Sequence, residues 1–347
     1  MFQKTFASDN NSGVHPKILE AIQKINIGHC VGYGHDGYSQ KVIQKLIDYF
    51  GGNCDIYLVG NGTAANVIAL SSAVRTFEAV ICSSISHLYL DECGAPERFI
   101  GIKLYPVPHY GGKIKVEDCY PLLVGHAEEH RSQPKVLSIT QPTEYGTLYS
   151  DEEVRALAEF AHQNQMYLHM DGARIANAAA AMNKSIKQIT GDLGVDILSL
   201  GGTKNGLLLG EAIVFFNPEL ASATRFYRKQ GMHLFSKHRY LAAQFEAYFE
   251  NDLWFTLAQQ ANATAQYLAQ QLQKIPTIQI TQPVQTNAVF AKLPRKLISP
   301  LQEKYFFYEW DPSQCEVRFM CSFDTTQEDV DNFTNTIQQT LAALQLT

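Results

Sequence analysis

Three short stretches of this chain hold residue types in settings that chemistry would use. In VDILSLGGTKNGLLLG, Lys204 follows an apolar run and two glycines, and a second apolar run comes after it. Removing an ammonium from water is costly, so a lone lysine between two core-like segments needs a reason. In QMYLHMDGARIANAA, Asp171 ends another apolar run just before Gly172, and Arg174 follows closely. In DIYLVGNGTAAN, Gly62 and Thr63 close a strand-like run and open a helix-like one. A helix N-terminus presents unbonded backbone N–H groups and a favourable dipole to a phosphate.

Each stretch has an ordinary explanation when taken alone. Lys204 can snorkel to the surface. Asp171 can cap the helix that follows it, and Thr63 its own. Arg174 can complete a structural ion pair. Together they ask for one cofactor. Pyridoxal phosphate needs a Schiff-base lysine, an acidic partner for its pyridine nitrogen and a phosphate cup. A lysine forms an imine when its amine is neutral, which a desolvated pocket promotes.

Two other motifs carry less. Gly60 to Ala65 fits the G-x-G-x-x-G/A dinucleotide pattern, but the next strand ends Ile81-Cys82-Ser83, with no carboxylate for a ribose hydroxyl. A nucleotide- or phosphate-binding module without lysine chemistry is therefore the weaker reading. His126-Ala-Glu-Glu-His130 matches a zinc pattern, yet its polar, proline-bounded setting reads as a solvated helix end. No metal is expected.

The elements that must position these residues alternate. Apolar strand candidates lie at 55–60, 79–83, 101–107, 135–141, 165–171, 195–201 and 211–217, with helical stretches between several of them. One helix opens on Asp151 and Glu152, which suit an N-terminus. This is the pattern of an α/β fold with a mostly parallel sheet covered on both faces. After about residue 235 helices and short strands read as a smaller α+β unit. The expected division is an N-terminal arm and large cofactor-binding domain over 1–240 and a small C-terminal α+β domain over 241–347.

Bulk properties narrow the partners. The 347 residues are 46% hydrophobic and 18% charged, and the net charge of −6 comes without a basic cluster, which argues against nucleic acid. The first residues lack a signal-peptide pattern, and no apolar run is long enough to span a membrane. Seven cysteines, an odd number with no CxxC, read as reduced thiols in a cytoplasmic protein.

With those residues in view, the chain resembles the fold-type-I pyridoxal-phosphate enzymes, and within them the threonine aldolase/β-eliminating lyase family. The resemblance runs from FASDNNSG near the N-terminus through GNGTAAN, ISHLYLDECGAPE, SITQPTEYG, LHMDGARIANA and GGTKNG to RFMCSFDT. It implies that Lys204 holds the cofactor covalently, that Asp171 pairs with the ring nitrogen, and that Arg174 lies near the pyridoxal hydroxyl and the substrate carboxylate. It implies further that Gly62, Thr63 and Thr203 serve the phosphate. His87 would lie against the ring and serve as candidate base. Arg318, helped by Ser8, would hold the substrate carboxylate. Tyr33 would reach a neighbouring subunit's site in a homo-oligomer, dimer or tetramer, with shared active sites. The activity implied is cleavage of L-threonine or L-allo-threonine to glycine and acetaldehyde. A β-eliminating lyase, or an aldolase for other β-hydroxy amino acids, is the alternative. Two departures stand out: Tyr33-Gly34-His35-Asp36 where relatives often read Y-G-D-D or Y-G-E-D, and Thr143-Glu144 where many read T-H.

Overall fold

The computed structural model describes residues 4–345. Seven strands form the main sheet: β1 (Asp55–Val59), β2 (Glu78–Ser83), β3 (Lys103–Val107), β4 (Gln133–Thr140), β5 (Tyr167–Gly172), β6 (Ile197–Gly201) and β7 (Glu211–Phe215). Their order is β1-β7-β6-β5-β4-β2-β3. From β3 to β6 all neighbours are parallel. The last strand of the run, β7, is antiparallel to both β6 and β1. Strands β6 and β7 are buried along their whole length, which is why they read as unbroken apolar runs rather than as alternation.

Helix Gly62–Ala73 covers one face, where Ala65, Ile68 and Ala69 meet Val59, Val80 and Ile213 in a common core. Helices Asp151–Gln163, Ile175–Met182 and His238–Phe249 contribute to a larger core on the other face. The first of these starts with a capping box: Ser150 accepts from Glu153 N–H, and the Glu153 side chain accepts from Ser150 N–H.

The parallel strands carry their carboxyl ends to one edge of the sheet. Because β7 runs the other way, its first residue, Glu211, arrives at that same edge, in register with Gly201 and Val59.

A second, antiparallel sheet holds β8 (Gln279–Ile280), β9 (Ala288–Lys292), β10 (Tyr308–Asp311) and β11 (Glu316–Met320), in the order β10-β11-β9-β8. Helices Leu253–Leu272, Arg295–Gln302 and Gln327–Ala343 enclose its core. The helix Leu253–Leu272 passes from one core to the other, with Leu257 in the first and Leu268 in the second. The position 240/241 lies inside helix His238–Phe249, whose Leu241, Phe245 and Tyr248 all pack in the first core. The N-terminal arm joins the other side. Phe6 is fully buried in the second core, stacked on Phe333 at 4.4 Å between ring centroids, and its carbonyl accepts from Met320 N–H at 2.8 Å.

The stretch from His126 to His130 is exposed turn rather than helix, so its two histidines do not share a helix face.

Candidate active site

Lys204 sits in a single 3-10 turn, Thr203–Asn205, directly after β6. Two glycines precede it for steric reasons. A Cβ on Gly201 would lie 2.2 Å from the Ala173 carbonyl oxygen, and one on Gly202 would lie 2.8 Å from the Gly210 carbonyl oxygen. Gly202 N–H donates to the buried Glu211 carboxylate at 2.9 Å, and Asn205 donates to Tyr248 and to the Trp254 carbonyl. The turn is therefore held from both sides. The Lys204 amine itself makes no hydrogen bond or ion pair among the described residues. Burial, and then the charge of Arg174, lower its pKa, which favours the neutral amine an imine requires.

Asp171 closes β5 and is buried. Its Oδ2 accepts from Asn66 at 2.9 Å and its Oδ1 from Ala173 N–H at 2.9 Å. Burial alone would raise its pKa. The Asn66 hydrogen bond and the charges of His87 and Lys204 outweigh it and keep the carboxyl below its ordinary value, hence ionised. Asn66 also donates to Glu92 Oε1, and that oxygen pairs with His87 Nδ1 at 3.0 Å. The bond to Glu92 raises the His87 pKa against the effect of burial.

At the start of helix Gly62–Ala73 the N-cap is Asn61, whose side chain accepts from Ala64 N–H at 2.9 Å; Thr63 does not play that part. The Gly62 and Thr63 N–H groups and the Thr63 hydroxyl make no hydrogen bond among the described residues. The Thr203 hydroxyl is engaged with the Gly210 backbone, accepting at 3.0 Å and donating at 3.4 Å.

The two arginines differ. Arg174 is forked onto the buried Asp9 at 2.6 and 2.9 Å, and Asn287 donates to the same carboxylate. Burial opposes ionisation of Asp9, yet the Arg174 charge and hydrogen bonds hold its pKa low. Arg318 has no carboxylate partner among the described residues. It lies over the Trp310 ring at 4.8 Å, donates to the Ala7 carbonyl at 3.3 Å, and leaves a buried Nε unpaired. Burial and the nearby Arg174 lower its pKa to about 10.

One cleft at the carboxyl edge of the sheet brings together Gly62, His87, Asp171, Arg174, Lys204 and Arg318. The remaining expected residues lie elsewhere. Ser8 uses its hydroxyl to accept from Asn10 N–H, capping a short turn. Thr63 lines a separate, more apolar cavity with Phe99, Tyr227 and Met232. Tyr33 is exposed, with the Lys229 ammonium 5.6 Å from its ring centre. Sequence reasoning assigned no role to Asp9, Asn66, Glu92, Glu144 or Glu211. Asn66 carried a signal nonetheless, as a polar residue within the apolar helix GTAANVIALSSA.

The groups left open among the described residues match the polar ends of pyridoxal phosphate: N–H groups at a helix N-terminus, a carboxylate kept ionised, and the Lys204 amine. With the sheet order, they define the class, a fold-type-I pyridoxal-phosphate-dependent lyase. The model of the beta-eliminating lyase family matches residues 5–295, and the chain belongs to that family. It is 37% identical to a low specificity L-threonine aldolase of Pseudomonas sp. (strain NCIMB 10558), covering 97% of this chain and 98% of that one. It is 36% identical to a protein of the same name from Pseudomonas aeruginosa, over 97% of this chain and 98% of that one. Among solved structures, a threonine aldolase of Leishmania major superimposes with a TM-score of 0.91 at 30% identity, covering 97% of this chain and 99% of the other.

Proposed function

We propose that this enzyme cleaves L-threonine and L-allo-threonine to glycine and acetaldehyde, with little discrimination at Cβ. The observation that carries the reading is that one cleft holds both the Lys204 amine and the Arg318 guanidinium, neither of which has a carboxylate partner among the described residues. The near full-length likeness to proteins named low specificity L-threonine aldolase supports the choice of substrate.

In this reading Lys204 holds the cofactor covalently, Asp171 meets its ring nitrogen, and Gly62 and Thr63 take its phosphate. Thr203 holds the Lys204 turn against Gly210 and stays adjacent to the phosphate. When bound, the cofactor supplies an electron sink for the pair released at the substrate Cα. Arg318 forks the substrate carboxylate, the geometry arginine offers best. Arg174, already forked onto Asp9, adds positive charge beside it. Fixing the carboxylate decides which bond at Cα is set to break. His87, held by Glu92, lies beside the ring, and its bond to Glu92 favours the protonated form. Ser8 adds to the carboxylate site through its turn next to Asp9.

We also propose a cytoplasmic homo-oligomer, a dimer or tetramer with shared active sites to which Tyr33 belongs. All seven cysteines are unpaired, and among the described residues no helix is long and apolar enough to cross a membrane. Exposed Phe99 and Met232 offer apolar surface in the cavity that Thr63 lines.

The test is product analysis with the cofactor-loaded enzyme on threonine, phenylserine, serine and cysteine conjugates. Equimolar glycine and acetaldehyde from threonine is the expected result. Keto acid and ammonia from serine or a cysteine conjugate, with no acetaldehyde from threonine, would replace the aldolase by a β-eliminating lyase.

A further inference from the structure

We propose that Glu144 is the group that takes the proton from the substrate β-hydroxyl, an inference that rests on the aldolase reading above. Glu144 lines the same cleft as Lys204 and Arg318. One carboxylate oxygen anchors it: Oε1 accepts from the Thr140 hydroxyl at 2.8 Å and from His87 N–H at 3.0 Å. The other oxygen, Oε2, is buried and has no hydrogen-bond partner among the described residues. A buried acceptor left without a donor destabilises the fold, so a free one at a cleft is the place for a donor the chain does not supply. A hydroxyl on the substrate is such a donor.

The electrostatic surroundings agree. Burial pushes the Glu144 pKa up to about 7, and the Asp171 charge acts in the same direction. Cys82, Tyr149 and Arg174 are the other titratable or charged groups that sense it, and Lys204, Arg318, Glu92 and Asp91 share its cleft. Its basic form is therefore available just above neutrality while its acid form can still return a proton, the condition for efficient general-base work. His87 is the competing candidate. Its Nδ1 is bonded to Glu92, so only its Nε2 is left to accept a proton, and the glutamine variant of Glu144 separates the two candidates.

The step balances. The β-hydroxyl proton passes to Oε2, and the O–H electron pair becomes the second C–O bond of acetaldehyde. The Cα–Cβ bond breaks, its pair remains with the glycine carbon, and that carbon takes up one proton. The proton lost from oxygen and the proton gained at carbon leave no net change.

Glu144→Gln in the cofactor-loaded enzyme tests this, because a glutamine Oε1 keeps the bonds from Thr140 and His87 while losing the ability to accept a proton. The expected result is a fall in kcat on L-threonine of about a hundredfold or more. KM should move little, and the cofactor absorption band should be unchanged. In the wild type kcat should decline as pH falls through about 7, where the carboxylate gains its proton, and the variant should lack that limb. Exchange of the glycine α-hydrogen with heavy water, which involves no β-hydroxyl, should survive. A variant with wild-type kcat and an intact acid limb overturns the assignment. So does one in which exchange, or the bound cofactor, is lost in step with cleavage, for that is a structural defect. A wild type that yields no acetaldehyde overturns the aldolase reading instead, which keeps the two failures apart.

Discussion

The cleft and the C-terminal core treat burial in opposite ways. In the C-terminal core Phe6, Phe307, Phe319 and Phe333 pack against one another with centroids 4.4 to 6.5 Å apart, all fully buried. The cleft gathers buried polar atoms that have no partner among the described residues: Asn66 Oδ1, Glu92 Oε2, Glu144 Oε2 and Arg318 Nε. Each such group costs about 1–3 kcal/mol of stability, and apolar packing of the kind seen around Phe6 offsets it. Substitutions in the cleft should therefore remove activity and spare stability, and those in the C-terminal core should do the reverse.

The sharpest break of that contrast would come at Lys204. Lys204→Ala should abolish turnover and leave no cofactor fixed to the chain after borohydride reduction. Its thermal midpoint without cofactor should equal or exceed that of the wild-type apoprotein, since a desolvated amine is gone. Threonine cleavage at the normal rate would end the proposed role.

Arg318→Leu comes next. Losing the fork to a substrate carboxylate should lower kcat/KM by about 3 kcal/mol, roughly a hundredfold. Stability to urea should not fall, because Arg318 forms no ion pair among the described residues. Unchanged kcat/KM would remove Arg318 from the site, and a large loss of stability would remove it from the contrast.

Phe333→Ala probes the other side. Truncating a buried phenylalanine costs about 3–5 kcal/mol, read from urea unfolding. Within the folded fraction, kcat on threonine should stay at the wild-type value. If kcat fell with stability, the two cores would not be separable.

Much of this division was legible beforehand. The strands showed as apolar runs, and Lys204 and Asp171 stood out as charged residues at or just past the ends of two of them. Strand direction is not written in composition, so the reversal of β7, and with it the arrival of Glu211 under the Lys204 turn, could not be read. Nor could pairings that only folding creates: Asp9 meets Arg174 across 165 positions, and Asn66 meets Asp171 across 105. Glu144 was visible only as a departure from relatives. Its meaning came with the orphaned oxygen.

The smallest effect belongs to the segment that joins the two regions. Phe6 anchors it in the C-terminal core and Asp9 in the cleft, while the Ala7 carbonyl accepts from Arg318. Ser8 lies between them, and its hydroxyl accepts from Asn10 N–H at 3.2 Å. Ser8→Ala should cost about 1 kcal/mol, the usual value of an N-cap hydroxyl. It should raise KM for threonine only slightly, through looser placement of Asp9 and Arg318, with kcat unchanged. A KM rise as large as that of Arg318→Leu would mean that the hydroxyl itself grips the substrate, and the segment would then belong to the cleft rather than bridge it.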